Sequence, residues 1–164
     1  VVPFAFADPA REAVHRLKYH GQTWLAPALA AFMAQAWEGR GWGRPDLLVP
    51  VPLHWTKVVT RGFNQAQLLA TCLGRVLDVP VANLLRRRRR TSQQARLSRE
   101  QRLRNVREAF VLRRGARPAG LSIVVVDDVM TTGATLQGVT EALLEQGSGA
   151  VSILCLARAW SDSW

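Results

Sequence analysis

Lysine is nearly missing from this sequence. Of its 22 basic residues only Lys18 and Lys57 are lysines, so almost all of the positive charge is carried by arginine. Cysteine is as scarce. Cys72 and Cys155 each sit in an apolar stretch and read as small buried hydrophobes, and without a CxxC pair there are no ligands for a cysteine zinc site. No run of eighteen apolar residues and no secretory leader is present, which excludes a membrane-inserted helix and leaves a soluble protein of the reducing cytoplasm as the expectation. Two phosphate-binding patterns are absent too. There is no GxxxxGK[ST] loop, and no GxGxxG follows the first strand. Acids are outnumbered 12 to 22, giving a net charge of +10. Such a surface attracts anions, from phosphorylated small molecules to nucleic acid, without choosing among them.

What is present suits one domain. A chain of 164 residues, 48% apolar, can bury a real core. "DPAREAVHRLKYHG" (8–21) predicts a helix capped by Asp8, with Pro9 in its first turn, Val14, Leu17 and Tyr19 on an apolar side, and Gly21 as its stop. A second apolar helix spans 24–39. "DLLVPVPLH" (46–54) reads as a strand running into a stiff proline loop, 61–79 as a helix, and 81–85 as a short strand. "LSIVVVDD" (121–128) is the clearest strand, followed by a helix over 134–147 and a buried strand over 150–158. These strands are apolar throughout rather than alternating. That predicts an α/β fold with a mostly parallel central sheet flanked by helices. Between Arg86 and Arg114 stand twelve arginines against Glu100 and Glu108, a local charge of +10 that reads as a charged insertion within the domain.

The chemistry gathers where the clearest strand ends. Asp127 and Asp128 repel one another unless a cation or hydroxyl groups occupy the space between them, so they suit a vicinal diol or the waters of a magnesium ion. The turn after them, Thr131, Thr132, Gly133, Ala134 and Thr135, offers hydroxyls and a glycine. It leads into a helix whose first amides are unpaired. That is a cradle for a terminal phosphate.

With that turn complete, "IVVVDDVMTTGATL" (123–136) resembles the phosphoribosyl-pyrophosphate (PRPP) signature of type I phosphoribosyltransferases. The wider chain is similar to one branch, the ComF/GntX family of competence-associated proteins. The resemblance is carried by "LKYHG" (17–21), "VPVPLH" (49–54), "RGFNQAQLLA" (61–70), "RRTSQQARLSREQRLRNVREAF" (89–110), "VVVDDVMTTGATL" and "LCLAR" (154–158), in family order. It implies a type I phosphoribosyltransferase-like fold with a small hood region. By it, Asp127 and Asp128 would hold the ribose hydroxyls, Thr131–Thr135 the 5-phosphate, and Pro52, Leu53 and His54 would form the pyrophosphate loop. The arginine-rich segment would contain a mobile flap, shaped by Gln94, Leu97, Ser98, Arg102 and Asn105. Magnesium would bridge PRPP oxygens. Members of the family usually carry a cysteine-rich zinc module before the first helix. This chain opens at "VVPFAFADP" without cysteine, so no zinc is expected in these residues.

Other polar groups admit two readings. Lys57, Arg61 and Asn64 either meet pyrophosphate or begin a solvated helix. His54 either donates to pyrophosphate or acts in proton transfer, or is structural. Lys18, Tyr19 and His20 lie in a family motif without an evident chemical part. Arg86, Arg87, Arg88, Arg89 and Arg90 cannot all face one small ligand, and read as a solvated face or as a contact for a nucleic-acid backbone. Three functions follow. The first is a transferase moving 5-phosphoribosyl to an unidentified acceptor, such as a nitrogenous base, with release of pyrophosphate. The second is a non-catalytic PRPP or nucleotide sensor. The third is a DNA-uptake protein that binds single-stranded DNA and a competence helicase.

Overall fold

The computed structural model of the chain describes residues 1–88 and 109–159. In chain order these form β1 (Phe4–Ala5), α1 (Ala10–Tyr19), α2 (Ala26–Glu38), β2 (Leu47–Pro50), α3 (Trp55–Arg61), α4 (Gln65–Leu77), β3 (Leu85–Arg87), β4 (Phe110–Leu112), β5 (Ser122–Met130), α5 (Ala134–Leu144) and β6 (Ala150–Arg158). Four strands make a central sheet in the order β1-β6-β5-β2, and every neighbouring pair is parallel. β3 and β4 pair antiparallel as a separate ribbon. No helix among the described residues is long and apolar enough to cross a membrane.

The unbroken apolar character of β5 has its cause in two cores. Val124 and Val126 join Val14, Leu17, Leu69, Leu73, Leu154 and Leu156 on the face covered by α1, α2 and α4. Ile123 and Val125 join Leu85, Phe110, Leu136, Val139, Leu143 and Cys155 on the face covered by α5 and the β3-β4 ribbon. Each strand residue meets apolar partners whichever way it points, so alternation is not needed. Each large aliphatic side chain buried in this way contributes roughly 1.5–3 kcal/mol.

Several local expectations change. Asp8 does not cap α1; Pro9 stands at the cap position, and Asp8 pairs with Arg11 at 3.3 Å instead. Tyr19 is exposed rather than part of the apolar side. The helix expected over 61–79 is two helices. Gly62 ends α3 in the left-handed region at φ 80°, and Asn64 starts α4, its side-chain oxygen accepting from the Ala66 N–H at 3.1 Å. The strand expected over 81–85 falls later, at Leu85–Arg87, while Val81 makes only a bridge to Leu48. β5 runs two residues beyond Asp128, to Met130.

Candidate functional site

The site arises from a difference in strand length. β2 ends at Pro50, and its pairing with β5 stops at Val126, where the Val51 N–H donates to the Val126 carbonyl. β5 continues to Met130 paired with β6 alone, so one edge of its last four residues is open. The chain leaving β2 reaches α4, whose Leu69 and Leu73 pack on one face of the sheet. The chain leaving β5 enters α5, whose Leu136 and Val139 pack on the other. Neighbouring strands whose connections depart to opposite faces leave a crevice at their carboxyl ends, where α/β proteins bind ligands.

Asp127 and Asp128 stand at that crevice but in unlike surroundings. Asp128 is 7% exposed, and its Oδ2 lies 2.9 Å from the Lys18 Nζ of α1. Asp127 accepts from the Asp128 backbone N–H through Oδ1 at 2.9 Å. Its carboxyl is pushed up to about 7, first by burial and then by the negative charge of Asp128; that same hydrogen bond and the charges of Lys18 and Arg87 oppose the rise. The ladder with β6 skips the Asp128–Leu156 pair. Alternation lapses across the acids as well, because Val129 packs with the Val126 cluster and Met130 with the Val125 cluster. The sequence presents the acids as a matched pair, whereas the fold gives one a half-buried lysine and leaves the other with a proton held near neutrality. Burial and the adjacent carboxylate also push the Cys155 thiol, Asp127's neighbour in the ladder, far above its usual value, so it stays an inert core group.

The turn after the acids is open. Gly133 sits at φ 78°, a conformation that side chains resist, while a Cβ there would find space, its nearest neighbour being the Met130 Sδ at 4.0 Å. No side chain caps α5. Among the described residues the amides of Thr132, Gly133, Thr135 and Leu136 carry no partner, and the Ala134 N–H has only a long 3.5 Å contact with the Thr132 hydroxyl. Free amides at the positive end of an eleven-residue helix favour an anion. Asp127 and the residues from Val129 to Leu136 line one hollow of about 50 Å³, on the scale of a small anion rather than a whole sugar phosphate. Asp127, Thr131, Thr132, Gly133, Ala134 and Thr135 are therefore brought together, and Asp128 adjoins them from the Lys18 side.

The remaining candidates divide. Pro52 is buried and Leu53 half-buried in the loop after β2. His54 caps α3: its Nδ1 accepts from the Thr56 N–H at 3.4 Å and lies 2.8 Å from the Thr56 hydroxyl. Asn64 caps α4 and donates to the Val51 carbonyl at 3.0 Å, which ties down the proline loop. Lys57 is exposed. Arg61 lies over the Tyr19 ring at 5.2 Å and donates to Gln65 at 3.3 Å, so it joins α3 to α1 and α4. Within the arginine run, Arg86 and Arg88 are exposed. Arg87 departs from the reading of an evenly solvated run, being half-buried with its guanidinium 5.5 Å from the Phe110 ring centroid. Arg89, Arg90 and the flap candidates Gln94, Leu97, Ser98, Arg102 and Asn105 lie outside the described residues.

Two influences on the acids escaped the sequence. Lys18 pairs with Asp128 and the charge of Arg87 acts on Asp127, both from elements far away in the chain, and the only signal was that Lys18, one of the chain's two lysines, lies in "LKYHG". A roomier cavity of about 370 Å³ lies between Trp37, Trp42, Arg44 and Leu77, ahead of β2 and hence at the opposite end of the sheet. Its Arg44 is already paired with Asp78 at 2.9 Å, and the acids and threonines are not in its walls. Among the described residues no group of three histidines, cysteines or acids could hold a metal. The acid pair alone offers carboxylate oxygens, one of them taken by Lys18. That donor set suits a magnesium ion arriving on phosphate oxygens better than an all-protein metal cage.

Comparison with known proteins bears on the family and the fold. The phosphoribosyl transferase domain model matches residues 25–162. The chain is 36% identical over 158 residues to the DNA utilization protein YhgH of Salmonella typhi, covering 93% of this chain and 69% of that protein. It is 32% identical over 160 residues to Competence protein F of Haemophilus influenzae, covering 94% and 70%. Among solved structures, the purine phosphoribosyltransferase of Pyrococcus horikoshii superposes with a TM-score of 0.54 at 19% identity, over 82% of this chain and 74% of that one, a likeness of fold.

Proposed function

The chain belongs to the phosphoribosyl transferase domain family, in its competence-associated ComF branch, and from that premise we propose that it binds PRPP and transfers the 5-phosphoribosyl group to an acceptor base, releasing pyrophosphate. The observation that carries this reading is the single hollow uniting Asp127 with the open amides of the turn that begins α5. A sugar hydroxyl donates to a carboxylate and a phosphate accepts from backbone N–H groups; the hollow and its border offer both kinds of partner. Thr131, Thr132 and Thr135 add hydroxyl donors to the 5-phosphate. Lys57, Arg61 and the loop at Pro52–His54 would face the pyrophosphate. Asp127 and Asp128 would help to hold a magnesium ion brought in with PRPP, and that ion would supply charge neutralisation on the leaving group.

The transfer needs no protein nucleophile. As the bond from C1 to pyrophosphate lengthens, positive charge grows on the ring and negative charge on the leaving group. This chain's residues hold the sugar, aim donors at the departing oxygens and keep out water. The acceptor would approach from the opposite side of C1. Calorimetry with PRPP and magnesium tests the site. Wild type should bind, and Asp127→Asn should weaken binding at least roughly tenfold, the scale of a hydrogen bond to a charged group. Equal affinity in both would remove Asp127 from the site. Pyrophosphate release with a panel of bases then separates turnover from sensing, and release with none would favour the non-catalytic PRPP sensor.

A second reading is favoured by one observation: Arg86 and Arg88 are exposed beside a half-buried Arg87, on a chain of net charge +10. The names of the relatives speak of DNA utilization and competence. We propose on that basis a contact with the backbone of single-stranded DNA, in a cytoplasmic protein acting beside a competence helicase. Both readings can hold for one chain.

A further inference from the structure

Resting on the sugar-phosphate reading above, we propose that Lys18 is a sugar-binding residue, forming with Asp128 a clamp for one hydroxyl of the ribose ring. The ammonium of Lys18 lies 2.9 Å from Asp128 Oδ2, with the two side chains 20% and 10% exposed. Val14 and Leu17, both buried in the core, fix the helix that presents it. Each partner of this pair has capacity left over. An ammonium has three donors, and one is used. A carboxylate has a second oxygen, and among the described residues Asp128 Oδ1 meets no other donor. A buried ion pair serving the fold alone is stabilised when its remaining donors and lone pairs are satisfied within the protein. Among the described residues this one leaves them without a protein partner, and Asp128 stands between Asp127 and Val129, which line the hollow.

A hydroxyl group fits that opening. It donates one hydrogen and accepts another, so it can give its proton to Asp128 Oδ1 while its oxygen accepts from Lys18. Charge points the same way. PRPP is a polyanion, and two bare carboxylates at its ring would repel it. Lys18 cancels one of them and also acts on Asp127. Asp127 then serves the hollow, and the Lys18–Asp128 pair serves the ring.

The experiment compares calorimetric affinities for ribose 5-phosphate, 2-deoxyribose 5-phosphate and 3-deoxyribose 5-phosphate, using wild type, Lys18→Met and Lys18→Arg. Melting curves accompany each protein. Wild type should prefer ribose 5-phosphate at least roughly tenfold over one of the deoxy sugars. Lys18→Met should lose that preference and, with Asp128 left bare, should bind all three sugars more weakly than wild type. Lys18→Arg keeps the ion pair and the fold. Its planar fork takes both carboxylate oxygens, so it too should lose the preference. It decides the matter if Lys18→Met melts early. A folded variant of either kind that retains the tenfold preference overturns the clamp, as does a wild type that binds all three sugars equally. A wild type that binds none of them overturns the phosphoribosyl reading along with it.

Discussion

Asp127 should make stability depend on pH in an unusual direction. In the unfolded chain an aspartate is ionised well below pH 5. In the folded protein Asp127 keeps its proton until about 7. Between those values the native state binds more protons, so raising the pH lowers stability across that window and has no further effect above it. Asp127→Asn removes the effect. Its melting temperature, measured with a chelator present, should rise relative to wild type from pH 4.5 to 7 and then level off. A difference constant over the whole range would show that the carboxyl titrates normally. Asn64 offers a second test at this scale. It caps α4 and holds the Val51 carbonyl, so Asn64→Ala should lose about 1–3 kcal/mol in denaturant melts. Asn64→Asp, which keeps only the capping oxygen, should fall between the two. The sequence made the acids and the threonine turn legible, because two acids ending an apolar strand have few ordinary explanations once a threonine-glycine turn follows them. It could not separate Asp127 from Asp128. That distinction rests on Lys18, brought in from α1, and on Arg87, an arginine that looks in the sequence like its four neighbours.

Among the elements, α4 lies unusually close to the segment that follows it. A Cβ on Gly74 would stand 2.7 Å from the Val79 carbonyl oxygen and 2.7 Å from the Val81 Cγ2. Replacing a helical glycine by alanine ordinarily adds about 1 kcal/mol. Here Gly74→Ala should instead destabilise by roughly 1–3 kcal/mol, since backbone must move to admit it. A stabilised variant would mean that α4 can lift from Leu48 and Val81 at no cost. Hydrophobic spacing located α2, α4, α5 and the two long strands, because their apolar residues recur over many positions. It missed α3, seven residues whose start is a histidine cap rather than one of the usual capping residues. It also misplaced β3, which is set by pairing with β4, a partner more than twenty residues away. Short elements held by distant neighbours leave little trace in their own sequence.

For the whole molecule the dominant quantity is charge. At +10 the chain should bind polyanions in a salt-dependent manner whatever its specific ligand. If Arg86 and Arg88 touch a nucleic-acid backbone, the affinity for a single-stranded oligonucleotide should fall steeply with salt. Changing both to alanine should then flatten the logarithmic slope by about 1–1.5. An unchanged slope would place the contact elsewhere. The α/β class was readable at this scale from strands apolar on both faces, but strand order was not, since periodicity reports which residues are buried and not beside which strand.

That order has an outcome during synthesis. Among the described strands the first in the sequence, β1, finds its hydrogen-bonding neighbour only in the last, β6. A ribosome that has released residues up to Leu144 has delivered α1, α2 and α4 but not Leu154 and Leu156, which complete the core those helices share. Such nascent chains should be easily cut by protease and held by chaperones, and should become resistant only once β6 has emerged.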